Sequence, residues 1–303
     1  MIHNNIITAI GNTPLIKIDF GTPPTIFAKL EYMNPSGSIK DRSVKYMIEA
    51  AEQRGDLSPH GRIIEASSGN QGIAASMIGA LKGYPVSITV SEKISREKQD
   101  AIAAYGAHVI PCPHTNAISD PNSYHAHACT LAKETPGSYF INQYYNPDNI
   151  TAHYNSLGPE LWQQTRGTIT HLCAGVGSGG TITGAGHYLK EHNANIHILG
   201  VDSPCSYRST SGNPQPYQLE GLGVDYDTPL LDNDIVDEFL LAPDTTALSM
   251  FRWLPRTYGI FPGVAGAAVA AMVYEYSKTL SKHHTLVMIF GDSGRAYLSK
   301  EYI

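Results

Sequence analysis

Three short segments of the sequence carry residues whose types and spacing could do chemistry. The first, residues 34–42, places Lys40 where a helix is predicted to begin. A helix N-terminus lowers the pKa of a lysine beside it, and partial burial lowers that pKa further. A lysine that is neutral near pH 7 is the nucleophile that Schiff-base chemistry requires. Considered alone, however, this segment favours an ordinary solvated lysine beside Asp41 and Arg42.

The second segment, residues 175–181, reads GVGSGGT between a predicted strand and a predicted helix. Its glycines and the helix start predict a loop whose backbone N–H groups bind a phosphate or another anion. It is not a Walker A loop, because no Lys-Ser/Thr pair follows the glycines. Gly175, Gly177 and Gly180 satisfy G-x-G-x-x-G, and Asp202 ends the next predicted strand, as in a dinucleotide site. The motif alone leaves a dinucleotide and another phosphate ligand equally open.

The third segment, residues 67–72, reads SSGNQG and also opens a predicted helix. The hydroxyls of Ser67 and Ser68 beside helix-end amides would suit a carboxylate, although alone they favour a plain helix cap. A phosphate loop, a carboxylate loop and a neutral lysine together form a site for pyridoxal 5'-phosphate (PLP) and an amino acid. A dinucleotide enzyme would need neither the lysine nor the second loop.

Alternating strands and helices must position these segments. The predicted strands are residues 62–66, 85–90, 107–112, 139–142, 170–174, 197–202 and 285–290, and the predicted helices are 41–51, 70–81, 96–105, 123–134, 180–190, 245–258 and 265–276. This order is typical of parallel sheets covered by helices on both faces. Residues 203–229 are rich in Pro, Gly, Ser and Tyr and predict a long loop.

Composition excludes several classes of protein. The chain has 303 residues, 42% of them apolar and 16% charged, which indicates a globular protein. No apolar run reaches the ~18 residues that cross a bilayer. A net charge of −6 without a basic cluster argues against nucleic-acid binding. Four cysteines without a C-x-x-C pair, and histidines without ligand spacing, predict neither a metal site nor disulfides. With no secretory signal at the start, we expect a cytoplasmic enzyme.

Motifs along almost the whole chain resemble the cysteine synthase and cystathionine β-synthase family of PLP enzymes. They are GNTPL at 11–15, NPSGSIKDR at 34–42, SSGNQG at 67–72, QYYNPDNITAH at 143–153, GSGGT at 177–181 and GLG at 221–223. The resemblance implies the two-domain α/β fold of the tryptophan synthase β type (fold type II), with parallel sheets flanked by helices. Residues 1–36 and 147–303 would form a large domain, and residues 37–146 a small mobile one. A homodimer that acts on small molecules is also implied.

The resemblance also implies a role for each matching residue. Lys40 would hold PLP covalently and later move the substrate's α-proton. The phosphate would be bound by Gly177, Ser178, Gly179, Gly180 and Thr181. Asn70 would bind the phenolic oxygen of the cofactor. The substrate carboxylate would be held by Ser67, Ser68, Asn70 and Gln143, with Gly221 in the loop over the site.

One departure concerns the ring nitrogen of the cofactor. Where the family carries a serine that binds this nitrogen, the stretch PGVAGAA at 262–268 is one residue short and places Val264. Valine has no donor or acceptor, so Ser293 is the candidate replacement. If nothing replaces the serine, we expect an unprotonated ring, a weaker electron sink and a preference for activated serine esters over free serine. Arg208, in the long loop, is more typical of an exposed arginine than of a contact with an anionic substrate group.

The expected function is β-replacement on an O-activated L-serine, in the first instance cysteine synthase, which joins O-acetylserine and sulfide. The alternatives are a cystathionine β-synthase-like enzyme, an enzyme that joins O-phosphoserine to an amine, and a PLP-binding homologue without turnover.

Overall fold

The computed structural model describes residues 2–67, 69–115, 118, 120–300 and 302, and within them the strands form two separate sheets. The strands of the larger sheet are β1 (Leu15–Ile18), β2 (Thr25–Leu30), β7 (His171–Gly175), β8 (His197–Asp202), β9 (Glu238–Leu241) and β10 (Thr285–Phe290). Their spatial order is β1-β2-β10-β7-β8-β9. The β1–β2 pair is antiparallel, and the other pairs are parallel.

The smaller sheet is parallel throughout. Its strands are β3 (Arg62–Ala66), β4 (Val86–Ser91), β5 (His108–Cys112) and β6 (Ser138–Phe140), in the order β5-β4-β3-β6. These strands all fall within the predicted small domain, but the domain boundaries themselves stay a prediction. Strands of parallel sheets are buried on both faces, which explains the apolar runs RIIEA and VSITV.

Helices cover both sheets, so the predicted α/β fold class is confirmed. They are α1 (Lys40–Arg54), α2 (Asn70–Lys82), α3 (Arg96–Ala104), α4 (Tyr124–Glu134), α5 (Asp148–Asn155), α6 (Leu157–Gln164), α7 (Gly180–His192), α8 (Asp244–Tyr258) and α9 (Val264–Ser277). In the part of the chain that the structure describes, none of them is both long and apolar enough to cross a membrane.

Alternate residues of β10 serve two hydrophobic cores. Met288 and Phe290 pack with residues of α8 and α9, such as Phe251, on one face of the larger sheet. Val287 and Ile289 pack with residues of α6 and α7 on the other face. A third core joins α1 and α2 to the smaller sheet. Helix α1 contacts both α2 and α5, and it therefore lies at the joint between the two halves of the fold.

The sequence patterns did not predict β1, β2, β9, α5 and α6. Strand β9 lies at the edge of its sheet with a half-exposed sequence, so it has no apolar alternation to detect. Strand β1 exposes its two central residues. Helices α5 and α6 are each eight residues long and follow one another at Ser156. Short elements of this kind depend on their neighbours for stability more than on local pattern.

A buried network of charges fixes the helix that carries Lys40. The Arg42 guanidinium donates to both carboxylate oxygens of Glu31 at 2.6 and 2.9 Å, and to both oxygens of Glu160 at 2.7 Å. The Lys29 amine donates to Glu160 at 2.7 Å and to the Thr13 carbonyl at 2.8 Å. Burial opposes ionisation of Glu160, but the bonds and charge of Arg42 outweigh it and lower its pKa to about 2. Helix α1 is thereby tied to the turn that follows β2 and to α6.

Removal of the Arg42 charge should be strongly destabilising. In Arg42→Met the buried carboxylate of Glu31 and the partly buried one of Glu160 lose their main partner, and breaking a buried pair in this way costs about 3–5 kcal/mol. The measurement is the free energy of unfolding in urea. Arg54→Met, at the exposed end of the same helix, is the matched control, because the Arg54 side chain is 47% exposed and its pairs with Asp56 and Asp148 should contribute about 1 kcal/mol or less. Equal losses in the two variants would contradict the assigned role of the network.

Candidate active site

A cavity lies where the loops after β3, β7 and β10 meet, at the carboxyl ends of parallel strands. Its described lining residues are Ile39, Lys40, Asn70, Ala174, Gly175, Gly177, Ser178, Gly179, Thr181, Ile182, Glu220, Gly221, Ala265, Gly266, Val269, Ile289, Gly291 and Asp292. Open α/β sheets place ligands at this edge. The lysine segment and the glycine loop therefore line one cavity, although 137 positions separate Lys40 from Gly177 in the sequence.

Lys40 begins α1 and is held against the end of β10. The Ile39 amide donates to the Gly291 carbonyl at 2.8 Å, and Ser38 pairs with Asp292 in an antiparallel bridge. Burial lowers the pKa of the Lys40 amine to about 8, although the carboxylates of Glu65 and Asp292 oppose the shift. The amine can therefore lose its proton near neutral pH, as a nucleophile must. The segment 34–42, considered alone, favoured a solvated surface lysine, and that prediction is wrong.

The glycine loop offers unoccupied backbone donors to the cavity. Among the described residues, none accepts a hydrogen bond from the amide N–H groups of residues 177–181. Gly179 has a φ of 90°, and a Cβ there would stand 2.6 Å from the Leu231 backbone nitrogen, so only glycine fits. The donors lie at the positive end of the 13-residue helix α7. An anion such as a phosphate is the group that they can bind.

Side chains of the same loop are held by two buried residues of α5. The Ser178 hydroxyl accepts a hydrogen bond from the Asn149 amide at 3.1 Å, and the Thr181 hydroxyl lies 3.2 Å from His153 Nε2. Burial lowers the pKa of His153 well below its usual value, so the ring is neutral. Gly180 does not line the cavity, and a Cβ there would collide with Asn149 Oδ1 at 2.4 Å.

The serine segment caps α2 and carries Asn70 into the cavity. Ser67 Oγ accepts hydrogen bonds from the amides of Gly69 and Gly72 at 3.0 and 2.9 Å, the geometry of a helix cap. Ser68 lies outside the described residues. Asn70 lines the cavity, and its Nδ2 donates to Asp292 Oδ2 at 2.7 Å. Of the predicted carboxylate-binding residues described here, only Asn70 lines the cavity.

Other predicted residues lie at varied distances from the cavity. Gly221 lines it, as expected of the loop over the site. Gln143 is buried and is not a lining residue; its carbonyl accepts a hydrogen bond from Asn149 at 2.9 Å. The Ser293 hydroxyl accepts from the Arg295 amide at 3.2 Å and lies 3.5 Å from the Phe261 carbonyl, outside the lining. Their proposed contacts with substrate and cofactor stay predictions.

Val264 and Arg208 are both placed away from the cavity. The Val264 side chain is fully buried in the core beneath α9, so the expectation that it faces the cofactor ring is wrong. Arg208 forms an ion pair with buried Asp202 at 2.9 Å and stacks on the Phe239 ring. It therefore stabilises the long loop and is neither freely exposed nor a lining residue.

Four charged residues near the cavity were missed from the sequence. Burial raises the pKa of Glu65, at the end of β3, to about 8. Glu220 lines the cavity and forms ion pairs with Lys98 of α3 at 2.7 Å and with Lys300 at 3.0 Å. Asp292 lies in the segment GDSGR at 291–295, next to Ser293 and two residues beyond the end of β10, and this position was an available signal. Lys98 and Glu220 gave no such signal, because their partners are distant in sequence.

Comparisons with known proteins agree on one family. The family model described as "Pyridoxal-phosphate dependent enzyme" matches residues 6–292. The chain is 38% identical to cystathionine beta-synthase of Apis mellifera over 98% of this chain and 60% of that protein. It is 35% identical to cysteine synthase of Staphylococcus aureus (strain Mu50) over 98% and 96%. The crystal structure of O-acetylserine dependent cystathionine beta-synthase from Helicobacter pylori superposes with a TM-score of 0.93 at 35% identity, covering 100% and 99%.

The chain spans about 60% of the length of the Apis mellifera relative and 62% of that of the Saccharomyces cerevisiae one. The residues present fit PLP. Unoccupied amides at the start of α7 suit its phosphate, and a buried amine in the same cavity suits its aldehyde. At Gly177 a Cβ would meet nothing closer than the Gly221 carbonyl at 3.5 Å, so a side chain there would fill the cavity instead. Matched in sequence, in fold and in the groups that line its cavity, the chain belongs to the pyridoxal-phosphate dependent enzyme family.

Proposed function

We propose that this protein catalyses β-replacement on O-acetyl-L-serine, with sulfide as the nucleophile, as a cysteine synthase does. The observation that carries the proposal is that the Lys40 amine lines one cavity with Asn70 and with Gly177, Ser178, Gly179 and Thr181 of the glycine loop. The curated cysteine synthase from Staphylococcus aureus matches this chain over nearly the whole length of both. We propose a homodimer in the cytoplasm as its setting.

Each group would have a distinct task. The amides at the start of α7 would bind the phosphate, and Lys40 would hold the cofactor through its amine. When bound, PLP supplies an electron sink for the substrate's α-carbon. Lys40 Nζ would accept the α-proton, the acetate would leave with its bonding electron pair, and the sulfide would add at the β-carbon. Lys40 would then return the proton to the α-carbon. Asn70, with Ser67, Ser68 and Gln143, would hold the substrate carboxylate.

The charge of the cavity favours the acetyl ester over the phosphoryl ester. Among the described lining residues, Lys40 is the one cation, while Glu220 and Asp292 are acidic. Once it has accepted the α-proton, Lys40 offers one positive charge to any leaving group, and Arg208 is committed to Asp202. Among the described lining residues, a departing phosphate dianion would therefore meet no cation besides Lys40, and it would face the two carboxyl groups. Free serine would have to release hydroxide, which is a much poorer leaving group than acetate.

A cystathionine β-synthase-type reaction is the second candidate. The relative from Apis mellifera at 38% identity carries that name, and so does the O-acetylserine dependent enzyme with the matching structure. The candidates share the amino-acid donor and differ in the thiol. The same assays test two further alternatives: an enzyme that uses an amine as the nucleophile, and a PLP-binding homologue without turnover.

Borohydride should fix PLP to Lys40, and uptake of PLP by the apoprotein should accelerate with pH around a midpoint near 8. The free amine attacks the aldehyde, and the pKa of Lys40 is lowered to about 8 from 10.5. The measurements are the peptide mass after reduction and the absorbance change after mixing. Lys40→Ala should lose the covalent label, while Lys45→Ala, on the same helix, should retain it. Labelling of another lysine, or no PLP uptake, would refute the assigned role.

The donor preference should be O-acetylserine over both O-phosphoserine and serine. We expect kcat/KM to favour the acetyl ester at least about tenfold over each, equivalent to ~1.4 kcal/mol in the barrier. The assay supplies each donor with sulfide, homocysteine or a small amine and identifies the product by mass. A preference for O-phosphoserine would contradict the charge argument. A faster reaction with homocysteine than with sulfide would favour the second candidate.

A further inference from the structure

Asp292 lines the cavity, but the proposed reaction gives it no role. It lies two residues beyond the end of β10, is 5% exposed and lines the cavity with Lys40 and Asn70. Burial raises its pKa, against the charge of Lys98 and the hydrogen bonds from Tyr297 and Asn70. A carboxyl group in such a place is costly to bury without partners.

The two oxygens of Asp292 have different surroundings. Oδ2 accepts hydrogen bonds from Asn70 Nδ2 at 2.7 Å and from the Tyr297 hydroxyl at 2.6 Å. Within the described residues, Oδ1 receives no hydrogen bond, and no Lys, Arg or His forms an ion pair with this carboxylate. A carboxylate oxygen can accept more than one hydrogen bond, so Oδ1 has capacity for a donor from the cavity.

Oδ1 lies against the start of α9. The Gly263 amide donates to the Asp292 carbonyl at 2.8 Å, and a Cβ on Gly263 would stand 1.9 Å from Oδ1. Only glycine allows the carboxylate to approach so closely. The residues of α9 that line the cavity are Ala265, Gly266 and Val269, whose side chains carry no donor or acceptor. At this wall Asp292 supplies the polar group.

The connectivity of PLP indicates what would meet Oδ1. Its phosphate arm, aldehyde carbon and phenolic oxygen occupy consecutive ring positions, and the ring nitrogen lies on the opposite edge. With the phosphate at α7, the aldehyde at Lys40 and the phenolic oxygen at Asn70, the methyl-bearing ring carbon would come next after Asn70 and the ring nitrogen after that carbon. Asp292 adjoins Asn70 through Oδ2, and its Oδ1 lies beside Gly263 at the start of α9.

We propose that Asp292 Oδ1 accepts a hydrogen bond from the protonated ring nitrogen of PLP, in place of the hydroxyl that Val264 cannot provide. This rests on the cofactor of the proposed function. An N–H⁺ donor would satisfy the unpaired oxygen and compensate the buried charge. The ring would then be a strong electron sink, contrary to the unprotonated ring that the sequence led us to expect.

The test is ¹⁵N NMR of the holoenzyme loaded with PLP labelled at the ring nitrogen, recorded at pH 8. The wild-type resonance should lie at the protonated position, and that of Asp292→Asn at the unprotonated position, because the neutral amide cannot stabilise the cation. Tyr297→Phe is the matched control. It removes the hydrogen bond from the Tyr297 hydroxyl to Oδ2 but keeps the charge of the Asp292 carboxylate, so the cofactor ring should stay protonated in this variant.

A second measurement needs no variant. The wild-type apoprotein should bind PLP about tenfold or more tightly than an analogue with carbon in place of the ring nitrogen, as expected for loss of a hydrogen bond to a charged group. An unprotonated wild-type ring, a protonated ring in Asp292→Asn or equal affinity for the two compounds would overturn the assignment while leaving the proposed enzyme intact. Failure to bind either compound would overturn both.

Discussion

The buried guanidinium of Arg42 fixes the start of α1, the helix that carries Lys40. It lies two residues after Lys40 and is clamped between Glu31 and Glu160, which belong to the larger-sheet side of the fold. A buried charge cannot give up its partners without a large cost in free energy, so the first turn of α1 has little freedom. The opposite side of the same helix packs Val44, Met47 and Ile48 into the core of the smaller sheet. The position of the Lys40 amine is thus set by ionic contacts on one side and hydrophobic packing on the other.

With α1 so placed, the chemistry of the cavity follows from which groups are left unpaired. Among the described residues, three groups form no hydrogen bonds with one another: the amides at the start of α7, the Lys40 amine and one oxygen of Asp292. Their neighbours Ser67, Ser178 and Asn149 form hydrogen bonds within the protein. Burial moves the pKa values of Lys40 and Glu65 toward each other, to about 8 in both cases. Unsatisfied donors and acceptors in one cavity define a complementary ligand with an anionic end and a reactive carbonyl.

Contacts across the cavity couple the two sheets. Lys98 extends from α3, beside the smaller sheet, to Glu220 on a loop of the larger one, and its amine lies 4.1 Å from the centre of the Tyr297 ring. Tyr297 in turn donates to Asp292. A Cβ on Gly69 would lie 2.3 Å from the Lys98 stem, so the loop that carries Asn70 requires glycine there. The Asn70 loop, the loop of Glu220 and the end of β10 are therefore parts of one contact network.

The sequence by itself determined the βα order, the glycine loop and the lysine, because each depends on local pattern or on a motif that few folds share. It also indicated the cofactor, since the three segments make chemical sense together. Only the tertiary structure decided that Val264 points into the core and that Arg208 is tied to Asp202. It alone revealed the contacts of Asp292 with Asn70 and Tyr297 and the Lys98–Glu220 pair. Side-chain direction and long-range pairing depend on packing between segments far apart in the chain, and one-dimensional spacing carries no record of that packing.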